Sequence, residues 1–489
     1  MTSTLAGVQR EEPPAPPPGK DGAGGTGSTG SNGGTWRGLR RILLRAHFFA
    51  GVVIGPFLLV AAVTGLLYTV MPQVEQAVYR HELKVDPGSG RERAPLAEQI
   101  AAAEKSVPDG TLTEVRTGAG PDDSTRVVFE EPGLREGYTR TAFVNPYDRE
   151  VLGTLETFGQ WLPVRAWFDD LHRNLHLGDL GRNYSEIAAS WLWVEVAGGL
   201  ALWIGARRSR ARLRRTLLPE PGAPAGRRRV RSWHGAVGLW AAAGLLGLSA
   251  TGLTWSAYAG TTVDSLRSRF DSATPAVSTE LPGTERRSAG GGGSERAGSE
   301  RAGSDAAGFD GAVRAARGAG LGGVLEVTPP SGKGTAYTVK EDTRSWPVRQ
   351  DSVAVDPDTG KVTATLRFDD YPVLAKLSRW GIDAHMGLLF GLPNQIALAL
   401  LALALIAMIL WGYRMWWLRR PGRAPAPGGW RHVPGKVLAP AAVAVALLAY
   451  WLPWFGIPLV LFLASDLALG AVRRRRAGDG GRDRTEVAA

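Results

Sequence analysis

The sequence predicts an α-helical integral membrane protein. It expects four core transmembrane helices in two repeats, a C-terminal transmembrane hairpin, and two small α+β extracytoplasmic domains. Three observations predict it. Several apolar runs reach or exceed the roughly 20 residues that cross a bilayer. Two of these runs align without a gap: RAHFFAGVVIGPFLLVAAVTGLLY from Arg45 and RSWHGAVGLWAAAGLLGLSATGLTW from Arg231. With His47 set on His234, Gly51 meets Gly238, Thr64 meets Thr251, and Gly65-Leu66 meets Gly252-Leu253. Arginines crowd alternate ends of the runs, the pattern left by the positive-inside rule.

The elements follow in order. Residues 1–36, rich in Gly, Pro, Ser and Thr, read as a disordered cytoplasmic tail. The first span occupies 37–71, with apolar character from Leu43. It starts too late and runs too long for a cleaved signal, so it is both targeting signal and anchor. Arg37, Arg40, Arg41 and Arg45 place its start inside. Residues 72–184 hold a helix near 94–106, strand-like alternation in TRVVFEE and YTRTAFVNP, a turn at NPYDREVLG, and a histidine-bearing helix. The second span covers 185–206. The loop from Arg207 to Arg231 has ten arginines and one glutamate and reads as cytoplasmic.

The third span covers 232–257, and 258–390 repeats the helix-then-strands pattern after a Gly/Ser/Glu/Arg linker at 280–308. VAVDPDTGKVTATL reads as a hairpin turning at Asp356–Gly360. The fourth span covers 391–418, and a cytoplasmic loop covers 419–436. The apolar run 437–471 is too long for one crossing and carries Pro453 and Pro458, so it reads as a hairpin; one tilted helix is the alternative. The tail 472–489 is basic and cytoplasmic. The chain is therefore a duplicated unit of helix out, ectodomain and helix back, with both termini inside.

Composition removes several classes. The chain has 489 residues, a net charge of +11 and no cysteine. Disulfides, iron–sulfur clusters, thiolate-ligated haem and covalent c-type haem are excluded. The positive charge belongs to the membrane flanks and has no base-reading motif with it, so nucleic acid is not an expected partner. No GxGxxG stands in a βαβ context, so no nicotinamide or flavin domain is built in.

Histidine is left as the main transition-metal ligand. Of seven, His47 and His234 lie near the cytoplasmic ends of their spans, roughly 25 Å of helix from the matching threonines. On the outer side, WFDDLHRNLHLGDLG carries His172 and His176 at i,i+4, expected on one helix face, and WGIDAHMGLLFGLP carries His385. His81 and His432 read as bystanders. A histidine at a helix end can be merely interfacial, and the small residues Ala50, Gly51, Gly55, Gly235, Ala236 and Gly238 can serve close helix packing or a flat cofactor. Bis-histidine haem b fits this pattern better than zinc, which wants three or four converging ligands.

The expectation is two haems: an inner one on His47 and His234, and an outer one on His385 with His172 or His176, roughly 20 Å away. Arg45, Arg229 and Arg231 stand at the level of the inner propionates. HRNLH lacks the glutamate of HExxH, and Asp169, Asp170 and Asp179 leave a surface metal site open. Trp191, Trp193, Trp203, Trp411, Trp416 and Trp417 read as interfacial belts.

The motifs LHRNLHLGDLGR, HxxxG with a distant TGL, GLLFGLPNQ and GYRMWWLRRP resemble the PepSY-associated transmembrane family over about 37–420. Its members are often called iron-regulated membrane proteins, and some are siderophore reductases. The resemblance implies PepSY-like ectodomains in a bacterial plasma-membrane haem protein that passes electrons outward to a ferric chelate or siderophore. A cytoplasmic reductase or quinol would be the donor, with membrane lipid around the spans. The family's L-H-x-x-L pattern falls on His172, and its other histidines on His47, His234 and His385. The insert at 284–308 departs from the pattern and bears on substrate or partner choice. Two other classes compete. A haem-free regulator would bind peptides or peptidases outside the cell. A metal permease would use Glu195 and Asp466.

Overall fold

A computed structural model describes residues 30–205, 217–270, 272–281, 308–419 and 433–486. The expected tail before residue 30, most of the linker at 280–308, much of the arginine-rich loop and most of the loop at 419–436, including His432, lie outside the described residues.

The first span is bent. Helix α1 (Gly30–Val53) and helix α2 (Gly55–Tyr68) meet at 58°. Pro56 is the cause: it has no N–H to give the Val52 carbonyl, and its ring displaces that carbonyl from the helix. The Tyr413 hydroxyl donates to Val52 O instead, at 2.9 Å. Tyr413→Phe is expected to lower stability by about 1 kcal/mol, read as a lower unfolding temperature in detergent. An unchanged unfolding temperature would mean that the carbonyl finds another donor.

Short helices α3 (Met71–Val78) and α4 (Arg80–Leu83) lead to α5 (Leu96–Ser106) and then to four strands. After the strands come α6 (Pro163–Asn174) and the long helix α7 (Gly178–Gly205). Helix α8 (Arg227–Thr254) opens the second half, followed by α9 (Ala257–Arg269), α10 (Gly308–Gly318), four more strands, α11 (Val373–His385) and α12 (Leu392–Trp417). Helices α7, α8 and α12 are long and apolar enough to cross a membrane, and the bent α1–α2 pair makes up to four spans. They close a ring: α1–α2 touches α7 and α12, and α8 touches both of those helices. Small residues let α7 and α8 approach, and Ser249 Oγ donates across to Ala189 O at 2.9 Å. Outward-facing Val60, Val63, Trp240, Leu400, Leu403 and Leu410 remain exposed, as lipid-facing positions would.

The strands make one sheet. They are β1 (Thr111–Arg116), β2 (Thr125–Glu130), β3 (Tyr138–Val144), β4 (Val151–Phe158), β5 (Leu325–Thr328), β6 (Tyr337–Glu341), β7 (Ser352–Val355) and β8 (Val362–Leu366). All neighbours are antiparallel, in the order β4-β3-β2-β1-β5-β6-β7-β8. The sequence reads the two halves as separate modules; Val115 pairs with Val327 and Arg116 with Glu326, so their sheets join edge to edge. Joining removes two exposed edges and lets α5 and α10 share one core with Val115, Phe129, Val327 and Val339. Asp310 of α10 caps α5 across the halves, accepting from Leu96 N at 2.8 Å. The expected hairpin at Asp356–Gly360 is present: Asp356 Oδ1 accepts from Asp358 N at 2.8 Å and Gly360 has φ +65°.

The C-terminal apolar run breaks at Leu452 into α13 (Gly435–Trp451) and α14 (Pro453–Glu486), because Pro453 cannot continue the preceding helix. Helix α14 extends through much of the expected basic tail. Phe455 is buried against Trp191 of α7, whose Nε1 donates to Trp454 O at 3.1 Å.

Candidate functional site

The ring of helices holds histidines at both ends. At the end away from the sheet, named inner for the expected orientation, His47 of α1 faces α7, where Gly198 and Gly199 leave space: a Cβ on Gly199 would lie 3.4 Å from His47 Cε1. One turn earlier, Glu195 brings Oε2 to 2.8 Å from His47 Nδ1. This is a close contact rather than an aligned hydrogen bond: His47 Nδ1 and Glu195 Oε1 are both buried without a hydrogen-bond partner. Across the ring, His234 Nδ1 lies 3.0 Å from the Met408 carbonyl of α12. A carbonyl can only accept, so His234 carries its proton on Nδ1. A carboxylate facing His47 Nδ1 favours the same tautomer there.

The end nearer the sheet, named outer for the expected orientation, repeats the logic with hydroxyls. Thr64 Oγ1 donates to Val60 O at 2.9 Å and lies 2.9 Å from His172 Nδ1. Thr251 Oγ1 donates to Gly247 O at 2.9 Å and lies 2.6 Å from His385 Nδ1. A hydroxyl has one proton. With it given to the preceding helical turn, each threonine accepts from imidazole, so His172 and His385 also carry N–H at Nδ1. Gly65 makes room, since a Cβ there would sit 3.2 Å from His172 Cε1. The Tyr184 hydroxyl donates to the His172 carbonyl and fixes the end of α6. Burial holds both outer imidazoles neutral, with pKa lowered to about 4, and a charge on His172 would further disfavour one on His385.

All four histidines thus present Nε2 as the atom with a free lone pair. Among the described residues none of these four Nε2 atoms has a hydrogen-bond partner. A metal-ligating histidine usually gives its second ring N–H to a fixed acceptor in this way. A metal held between two imidazoles, with bonds of about 2.0 Å and roughly 1.1 Å from each nitrogen to its ring centre, would set the ring centres roughly 6 Å apart. The rings of His47 and His234 are 6.3 Å apart at 71°. Among the described residues no three His, Asp or Glu side chains converge, so the donor set is two nitrogens. That set is too small for a structural zinc and complete for a haem, whose porphyrin brings the other four donors. The inner pair fits the group by spacing and donor set, and the outer pair by donor set.

The other candidates are placed as follows. His176 does not share a face with His172. Helix α6 stops at Asn174, Leu175 and His176 take φ +55° and +57°, and the His176 ring turns out against Trp167 at 4.7 Å. His81 is exposed. Arg45 lies over the Phe49 ring at 4.9 Å. Arg229 lines an open recess of about 300 Å³ with Val230, Trp233 and Trp411, and Arg231 is exposed. The Asp466 side chain lies outside the described residues. Sequence reasoning aligned Thr64 with Thr251 without giving them a role, read Glu195 only as a step in a cation path, and missed the Met408 carbonyl. The repeated TGL and a carboxylate deep in a span were the available signals.

None of the curated proteins compared with the chain matches it. The family model described as the PepSY-associated TM region matches residues 44–419, which takes in both histidine pairs and the whole sheet, and the chain belongs to that family.

Proposed function

We propose that the protein is a di-haem b electron conduit of the bacterial plasma membrane that reduces extracytoplasmic ferric chelates, siderophore-iron among them, with electrons from the cytoplasmic or quinone side. The bent α1–α2 pair then counts as one span, making four core helices in two repeats, with α13 and α14 as a C-terminal hairpin. The two halves of the sheet are the PepSY-like modules, held outside the cell. One observation carries the reading: four histidines stand at opposite ends of one helix ring with Nε2 left bare, Nδ1 being hydrogen-bonded in His172, His234 and His385 and in close contact with Glu195 in His47.

Bound haem would supply a one-electron couple at each end of the ring. The chain's own residues do the rest. His47, His234, His172 and His385 hold the irons, and Glu195, the Met408 carbonyl, Thr64 and Thr251 fix ring orientation and raise ligand basicity. Glu195 faces His47, so this acidic side chain serves a histidine rather than a cation path. Reduction of Fe(III) to Fe(II) weakens hard-oxygen chelation and frees the metal outside.

The test is a vesicle assay. Protein is reconstituted with dithionite trapped inside and a ferric chelate with an Fe(II) dye outside. Fe(II) is expected to form outside, and to fall to the protein-free rate in His234→Ala and in His172→Ala. Wild-type vesicles that match protein-free ones would reject the conduit and favour a haem-free regulator.

A further inference from the structure

The outer end also holds a buried cation with no carboxylate in ion-pair contact among the described residues. Arg165, in the first turn of α6, is 4% exposed. Its Nε donates to the Tyr68 hydroxyl at 3.0 Å, and its guanidinium lies 3.7 Å from the centre of the Trp161 ring. Its Nη2 is buried with no hydrogen-bond partner. Among the described residues no carboxylate comes within ion-pair distance of it. Arg344, from the other half of the sheet, sits over the same Trp161 ring at 5.1 Å and is itself paired to Asp342. Arg379 of α11 has Asp342 and Asp383. An unpaired buried charge is unfavourable, and a second guanidinium on the same indole makes it more so.

Position says what is missing. Arg165 precedes His172 by seven residues, two turns along one face of α6, or roughly 10 Å. Both face α2, where Thr64 meets His172 and Tyr68, one turn on, meets Arg165. Arg165 therefore stands on the sheet side of His172, on the same wall. The first turn of a helix adds its own preference for negative charge.

We propose that Arg165 binds a carboxylate, and that this carboxylate is a propionate of the outer haem. This rests on the di-haem reading. The sequence had placed propionate partners only at the inner end. Two acids reach Arg165 by charge without pairing to it: Asp169, one turn along α6, is paired to Arg173 at 2.7 Å, whereas Glu75 of α3 has its pKa raised by burial and its Oε2 is without a partner. Closure of Glu75 onto Arg165 is the competing arrangement.

The experiment compares wild type, Arg165→Gln and Glu75→Gln as purified full-length protein, reading haem per chain, haem transfer to apomyoglobin and the midpoint potential of each haem. Losing a charge-assisted bond is expected to speed release of one haem about tenfold in Arg165→Gln. The same haem should fall in potential, because a cation that favours Fe(II) is gone, while the other haem is unmoved. Glu75→Gln should leave release of that haem unchanged. If Arg165→Gln does not fold, wild type is reloaded with haem dimethyl ester, which should leave the outer site at least as fast as haem is expected to leave the variant. Unchanged release and potential in Arg165→Gln, or equal retention of ester and free acid at both sites, would overturn the proposal. So would loss of ferric-citrate binding as the only defect, which would assign the carboxylate to the chelate. Wild type with no haem would fail the underlying reading instead, a result distinct from these.

Discussion

Replacing His385 with alanine is expected to remove one haem of two and leave the other with its spectrum intact; His172→Ala should do the same to the same haem. The two residues come from different repeats, 213 positions apart in sequence, yet both stand at the outer end of the ring with Nδ1 on a threonine of the TGL motif. Among the described residues each is one of two protein donors at that end, so a single loss would leave a haem there with one protein nitrogen. His47→Ala and His234→Ala should remove the other haem. The check is pyridine haemochrome per chain together with the reduced-minus-oxidised spectrum of each variant. Loss of both haems from one outer substitution, in protein that stays folded, would show that the ends are not independent sites. Loss of neither would remove His385 and His172 as ligands.

The second large effect is expected at a residue that need not touch haem. Glu195→Ala deprives His47 Nδ1 of its carboxylate, 2.8 Å away, and leaves the imidazole in place. Outer-shell partners of this kind are worth about 10- to 100-fold in metal affinity. Inner-site affinity should fall by that factor. The inner potential should rise, because a less basic imidazole stabilises Fe(III) less. The outer site should not change. Glu195→Gln keeps an acceptor oxygen and should recover much of the affinity but not the potential. Titration of haem into apo-protein, with potentiometry of the loaded forms, separates these outcomes. Equal behaviour of the two variants and wild type would mean that Glu195 is only a packing neighbour.

Much of this was legible in the sequence, for identifiable reasons. The repeat was legible because His47, Gly51, Thr64 and Gly65-Leu66 recur at one constant offset, and a constant offset survives without any knowledge of packing. The hairpin at Asp356–Gly360 was legible because Asp and Gly there act locally, through an Asx turn and a positive φ. Long-range features were not. Nothing local says that Val115 will pair with Val327, so two expected modules prove to share one sheet. The threonine–histidine bonds span 108 and 134 residues, beyond any periodicity argument.

One feature the reading left out and one misreading have local causes. The bend at Ile54 follows from Pro56, a breaker inside a run whose hydropathy alone looks continuous. The i,i+4 spacing of His172 and His176 implies a shared face only while the helix lasts. It ends at Asn174, in a left-handed cap at Leu175 that a leucine rarely adopts and that composition does not announce.

The most direct measurement is a pyridine haemochrome count, with a dithionite-reduced minus oxidised spectrum, on the detergent-purified protein from haem-replete cells. The account expects a low-spin b-type spectrum and two haems per chain. A folded protein carrying no haem would contradict it.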